Sequence, residues 1–242
     1  MGYNRGDTYE EHIYEISKNQ GIIPPGSSRA GAAANAPDLL FRHLGNDYKL
    51  EIKHNITNPD YGQRRVHFYP QTRSWKWALN DELSEYYDEL NLTDNIPSDL
   101  YPIWYQKRTM KSGDSMYTAN GNTEYTEADL KTDQGNFKFN HIQIPRDVLF
   151  KYYAVRDTHY IQVDGSGLYH LDKDVAQIGT PQFDGNPHFR FRVKRQSSKV
   201  AAHKCQFLGV IKLIKKNNPS PSHLNLDTDA LLEGQTFPKI IS

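Results

Sequence analysis

Residues 188–195, His-Phe-Arg-Phe-Arg-Val-Lys-Arg, restrict the fold more than any other stretch of the chain. Side chains of an extended strand point alternately to two faces, so Phe189, Phe191 and Val193 share one face and Arg190, Arg192 and Lys194 the other. A helix would scatter both sets. The segment therefore belongs in a sheet with one face on an apolar core and the other presenting a row of cations. The charge around it is one-sided: from Gly185 to Lys216 there are nine Lys or Arg and no Asp or Glu. The whole chain has 29 basic and 29 acidic residues, so net charge alone points to no polyanionic partner. The distribution does, because the acidic excess lies elsewhere, notably between Asp81 and Asp99.

A chain of 242 residues makes one large domain or two small ones. Its mean hydropathy is low, −0.78, yet 16 Tyr, 10 Phe and 3 Trp supply bulky core material. No apolar run is long enough to cross a membrane, and the first residues lack the apolar stretch of a signal peptide. One cysteine, Cys205, excludes an internal disulfide, suits a cytoplasmic setting, and reads as a buried structural thiol.

The first element reads as a helix, with Thr8 and Glu11 as a capping box and Tyr9, Ile13 and Ile16 on one face, ending near Asn19–Gly21. A loop of small residues and breakers, 24–31, follows. Asp38–His43 and Tyr48–Lys53 read as strands joined by a turn at Gly45-Asn46-Asp47. A second helix is expected from Pro70, with Trp75, Leu79, Leu83, Tyr86 and Leu90 as its buried stripe. Residues 93–134 read as long loops with minor structure. Beyond them the chain is β-rich: strands at 137–144, 159–163, 188–195 and 205–214, a short helix at 146–153, a hairpin turn at Gly165-Ser166-Gly167, and an irregular tail after Asn217. The organisation expected is a core over 1–92, a loop-rich insertion or flap over 93–136, and a β-rich portion over 137–242 packed on the same sheet.

The chemistry concentrates in the strand pair. Asp38 and the Glu51/Lys53 pair fall on neighbouring strands, and alternation puts Glu51 and Lys53 on one face. Magnesium is hard and octahedral, is held by few carboxylates, and keeps several waters. Asp38 and Glu51 can supply such a partial shell, and the backbone carbonyl of Ile52 a further oxygen. The ammonium of Lys53 then stands where it can orient an attacking water or balance transition-state charge. The plainer alternatives are a turn residue after Pro37 for Asp38 and a solvated strand face for Glu51 and Lys53. The ten histidines show no HExxH or other dense ligand spacing, and no cysteine pair exists for zinc, so none joins this set.

Pro37-Asp38, twelve intervening residues, then Glu51-Ile52-Lys53 resembles the PD-(D/E)xK nuclease superfamily, which includes type II restriction enzymes and Holliday-junction resolvases. Arg5-Gly6 followed by Glu10 resembles the start of the archaeal junction resolvases, and the resemblance implies that Glu10 joins the metal site. The loop 27–31, with Arg29, occupies the place of their serine-containing loop, and Gln71 matches a polar active-site position. The fold implied is α/β, a restriction-endonuclease-like core whose central mixed sheet is flanked by helices, with a β-rich C-terminal extension for DNA binding. The activity implied is Mg²⁺-dependent hydrolysis of double-stranded DNA, with Mn²⁺ able to substitute. The length and the basic strand favour a sequence-specific, restriction-type enzyme. A structure-selective nuclease such as a junction resolvase, and a non-catalytic DNA-binding protein, are the alternatives. Arg190, Arg192, Lys194, Arg195, Gln196, Ser197, Ser198 and Lys199, with Arg29, Arg64, Arg65 and Gln71, form the expected DNA-binding set. Arg64 and Arg65 are read in the loop after the second strand. The expected partner is DNA, with no membrane, and a homodimer is compatible with the sequence.

Overall fold

The computed structural model describes residues 5–24, 26–27, 37–57, 59–69, 71–97, 99–107, 124–137, 141–195, 200–214 and 219–227. The fold is mixed α/β and falls into two compact units. One comprises Met1–Pro59, Pro145–Pro187 and Leu213–Ser242, the other Asp60–Ile144 and His188–Lys212. These boundaries differ from the divisions at 92 and 136 expected from the sequence, because strands far apart in the chain share sheets.

The first unit holds a four-stranded sheet in the order β1 (Leu39–His43), β2 (Asn46–Lys53), β6 (Thr158–Val163), β7 (Gly167–His170). β1 and β2 form an antiparallel hairpin, β2 and β6 run parallel, and β6 and β7 are antiparallel, so the sheet is mixed. The hairpin turns at Leu44 and Gly45, both at positive φ (49° and 81°), one residue earlier than expected. Two left-handed residues match the twist of the flanking strands. Helix α1 (Arg5–Asn19) buries Tyr9, Ile13 and Ser17. It begins before Thr8, which is therefore an interior residue and not its cap. Its end follows the sequence: Gly21 sits at φ +68°, its N–H bonds to the Lys18 carbonyl, and the Ile22 N–H bonds to that of Ser17. Tyr9 and Ile13 pack with Leu39, Phe41, Leu50, Ile52 and Tyr160 in one core. Helix α5 (Arg146–Ala154) serves the opposite face of the sheet, where Tyr153 reaches β2. The irregular stretch 219–227 closes this unit, with Leu224 and Leu226 buried and the Leu224 carbonyl accepting from Leu168 N–H.

The second unit holds a five-stranded sheet in the order β4 (Ser74–Trp77), β3 (Gly62–Tyr69), β9 (Cys205–Leu213), β8 (Pro187–Arg195), β5 (Ile142–Gln143). Its core is aromatic: Phe68, Trp75, Trp77, Tyr87, Phe189, Phe191 and Phe207 are all buried. The helix expected from Pro70 is absent there. Pro70 lies outside the described residues, Ser74–Trp77 is a strand with Trp75 and Trp77 inward, Leu79 is 63% exposed, and the helix α2 spans only Glu82–Glu89. Asp81 caps that helix by accepting from Ser84 N–H. Gln71 accordingly lies in an exposed turn between two strands, and Arg64 and Arg65 lie within β3, not in a loop. Two further helices interrupt the expected loop, α3 (Ile103–Gln106) and α4 (Glu127–Asn136), the latter with a Thr126–Asp129 capping box. Of the strand expected over 137–144, the described residues show β5, and 138–140 lie outside them. Cys205 is buried, and burial pushes its thiol up to about 12. Among the described residues no helix is long and apolar enough to cross a membrane.

Candidate active site

β1 stops at Leu39, and β2 runs on past it. In the hairpin register Leu39 faces Leu50, so Asp38 comes opposite Glu51. Opposed residues of an antiparallel pair send their side chains to one face, and Lys53 joins them two residues on. That face is the one α5 reaches. Asp38 Oδ2 accepts the Ile52 N–H at 2.8 Å, a bond that a further β1 residue would otherwise make. The carbonyl of a strand residue projects to the same edge as its N–H, which puts the Ile52 oxygen on the Asp38 side. Glu51 Oε1 pairs with Lys53 Nζ and accepts a hydrogen bond from Tyr153 Oη at 3.2 Å. Both members of the pair are largely enclosed, with side chains 13% (Lys53) and 18% (Glu51) exposed.

The electrostatics follow from that crowding. Burial, and then the Glu51 charge beside it, push Asp38 up to about 7; Lys53 acts against the rise, Glu10 of α1 adds to it, and the Ile52 N–H opposes it. Burial works against the charge on Lys53, but the Glu51 and Asp38 carboxylates overcome it and hold the ammonium above its ordinary value. Two carboxylates therefore share one ammonium, and negative charge is left over. Among the described residues no three of His, Cys, Asp and Glu stand together as a set able to hold a metal. Two carboxylates and a backbone carbonyl still fit a hard divalent cation that keeps most of its water.

Asp38, Glu51, Ile52 and Lys53 are thus brought together in the first unit, and Glu10 of α1 acts on Asp38 through its charge without completing a three-residue metal cluster among the described residues. Tyr153 is the contributor that sequence reading missed. Its helix was foreseen, but a partner 102 residues from Glu51 leaves no local signal.

The basic residues lie in the second unit. Phe189, Phe191 and Val193 are buried as the alternation demands, and Arg190, Arg192 and Lys194 line a cleft of about 250 Å³ with Gln134, Phe137 and Val193. Arg192 Nη1 is 3.4 Å from Asp60, and Lys194 Nζ donates to Gln63 at 3.3 Å. Other members of the expected set have internal partners: Arg195 pairs with Glu127, Arg64 with Asp81 and Ser84, and Arg65 with Gln206 at 2.9 Å. Arg29, Gln196, Ser197, Ser198 and Lys199 lie outside the described residues.

No family model matches the chain, and no curated protein matches it. Among solved structures it is similar to HhaI endonuclease in complex with DNA, at 10% identity and a TM-score of 0.43, over 78% of this chain and 63% of that one. The chain spans less than two thirds of that protein's length, and a likeness so distant bears on neither residues nor activity.

Proposed function

We propose that this protein is a Mg²⁺-dependent endonuclease that hydrolyses phosphodiester bonds of double-stranded DNA at specific sequences. What carries this reading is the meeting of Asp38, Glu51 and Lys53 on one enclosed face at the end of a hairpin. Asp38, Glu51 and the Ile52 carbonyl would hold the ion, with the charge of Glu10 acting on Asp38. When bound, Mg²⁺ polarises the phosphoryl oxygens and makes a bound water acidic. The protein's own groups do the rest. Lys53 offers an ammonium, fixed by Glu51, to the charge that develops on the phosphate. Tyr153 donates to the same Glu51 oxygen as Lys53 and restrains the carboxylate further. Ile52 N–H fixes one oxygen of Asp38 and leaves the other available. The basic cleft in the second unit supports a polyanionic partner.

The test is incubation of the purified chain with long duplex DNA and Mg²⁺, followed by end mapping. Discrete fragments with 5′-phosphate ends are expected, none in EDTA, and binding without cutting in Ca²⁺. Cutting confined to four-way junctions would favour a resolvase instead. A non-catalytic DNA-binding protein is favoured by the absence, among the described residues, of a three-residue metal cluster. Binding with no cutting of any DNA form would select it.

A further inference from the structure

The cations of β8 sit in more specific surroundings than an open strand face. Lys212 on the neighbouring strand β9 is 6% exposed and reaches Asp60 at 3.4 Å, the same carboxylate oxygen that Arg192 reaches. Among the described residues Asp60 is the one acid that acts on Arg190, Lys194 and Lys212. Arg190, Arg192, Lys194 and Lys212 therefore have Asp60 in common as a counter-charge. Mutual repulsion adds to burial, and Arg190, Lys194 and Lys212 hold their protons less tightly than usual. His141 stands in the same field, its pKa lowered by burial and then by Arg190, His188 and Lys212.

Hydrogen bonding points the same way. The Nε atoms of Arg190 and Arg192 are buried and have no acceptor in the structure among the described residues. A buried guanidinium N–H without an acceptor is costly, and it is uncommon in a native fold unless something from outside supplies the oxygen. Residues two apart on a strand place their side chains about 7 Å apart, so the two forks flank one small group. Arginine forks match the oxygens of a tetrahedral anion, and strand-borne side chains hold that geometry without a loop closing over it.

We infer that this cleft binds one phosphate group, held by Arg190, Arg192 and Lys194, with the charge of the buried Lys212 favouring it and Asp60 as the element that limits its affinity. The site stands on its own geometry; only the source of the phosphate, a nucleic-acid backbone, rests on the DNA reading.

Calorimetric titration of the full chain with inorganic phosphate, without Mg²⁺ and at constant low ionic strength, tests it. Saturable binding at one site is expected, weakened at least about tenfold by Arg190→Gln or Lys212→Met. Arg192→Lys keeps the charge but loses the fork, and it should weaken binding too. Because such variants can fold poorly, the decisive one is Asp60→Asn, which removes the opposing charge and should tighten phosphate by about threefold or more. No saturable binding up to about 10 mM phosphate overturns the proposal, as does an affinity indifferent to Asp60→Asn. Competition by a duplex lacking terminal phosphates assigns the site to internal backbone phosphates, and competition only by a 5′-phosphorylated duplex assigns it to strand ends. If neither competes, the ligand is a free phosphate. The Asp38→Asn variant should bind phosphate as wild type does. A wild type that cleaves DNA but binds no phosphate would sink this inference alone, and a wild type that binds phosphate but cuts no DNA would sink the nuclease reading alone.

Discussion

Asp38 is where a proton and a cation compete for the same carboxylate. Its pKa in the fold is about 7, against about 3.9 for an unfolded chain. A raised carboxyl destabilises the ionised fold: stability is full at low pH, falls as pH rises from about 4 to about 7, and is flat above. Asn cannot ionise, yet its oxygen still accepts the Ile52 N–H. In EDTA at pH 8, Asp38→Asn should therefore be more stable than wild type by on the order of 1–2 kcal/mol, allowing for water at a half-buried group. Urea unfolding at pH 5 and pH 8 measures this, and a wild type that gains on the variant toward pH 8 would contradict it. The same substitution should reduce Mg²⁺-dependent cleavage at least about a hundredfold, because an amide is a poor magnesium ligand. Lys53→Ala should reduce cleavage comparably and also move its pH dependence to higher pH, since Lys53 holds Asp38 down. A pH–rate profile separates that from a simple loss of activity. The meeting of these three residues was readable from the chain because Glu51 and Lys53 lie on β2 and Asp38 directly precedes β1, its hairpin partner across a two-residue turn, so the hairpin register carries Asp38 to the same face.

At the scale of elements the reading was less even. β8 was foreseen in full because its alternation has no helical counterpart. The stretch from Trp75 was misread because Trp75, Leu79, Leu83, Tyr86 and Leu90 recur at helical spacing, while Trp75 and Trp77 recur at strand spacing. Two buried indoles decided it, and the Trp77 Nε1–H bond to Asp88 at 2.9 Å ties the strand to the shortened helix. β9 shows how tightly the aromatic core is set. A Cβ at Gly209 would run into the Phe189 ring and stand 3.1 Å from Trp77, and that ring is held by Trp77, Tyr87 and Phe191. Gly209→Ala should cost roughly 1–3 kcal/mol in denaturant unfolding, with Phe189→Leu partly restoring it in the double variant. The basic face of β8 makes a separate prediction for DNA. Lys194→Ala should lower the salt slope of binding by about 0.9, the counterion released at one phosphate, while Arg195→Ala, its charge already answered by Glu127, should leave the slope unchanged. Equal slopes for Lys194→Ala and wild type would remove Lys194 from the interface.

At the scale of the molecule, what the sequence could not disclose is which distant strands meet. Alternation identifies a strand but says nothing of its neighbour, so the parallel pairing of β2 with β6, over a hundred residues later, was invisible, and with it the assembly of each unit from separated segments. A fragment of residues 1–136 lacks β6 and β7 of one sheet and β5, β8 and β9 of the other, and it should show no cooperative unfolding transition by circular dichroism. A cooperative transition in that fragment would mean that β1–β2 or β3–β4 is stable alone, contrary to the marginal stability of two-stranded hairpins.

The interleaved layout also bears on how the chain is made. Synthesis delivers residues in order, and domains built from one continuous stretch can fold as they emerge. Here neither unit can. The parallel partner of Glu51 and Lys53 is not present until residues 161–163 have left the ribosome, and the carbonyl that caps Leu168 arrives only with Leu224. Until then Leu50 and Ile52 lack Tyr160 and Leu168, and Trp75 and Trp77 lack Phe189, Phe191 and Phe207. The carboxylates of the candidate site become a site only once Tyr153 and residues 161–163 have been made, about a hundred residues after Glu51 and Lys53, which delays the chemistry proposed for them until both sides of the sheet exist.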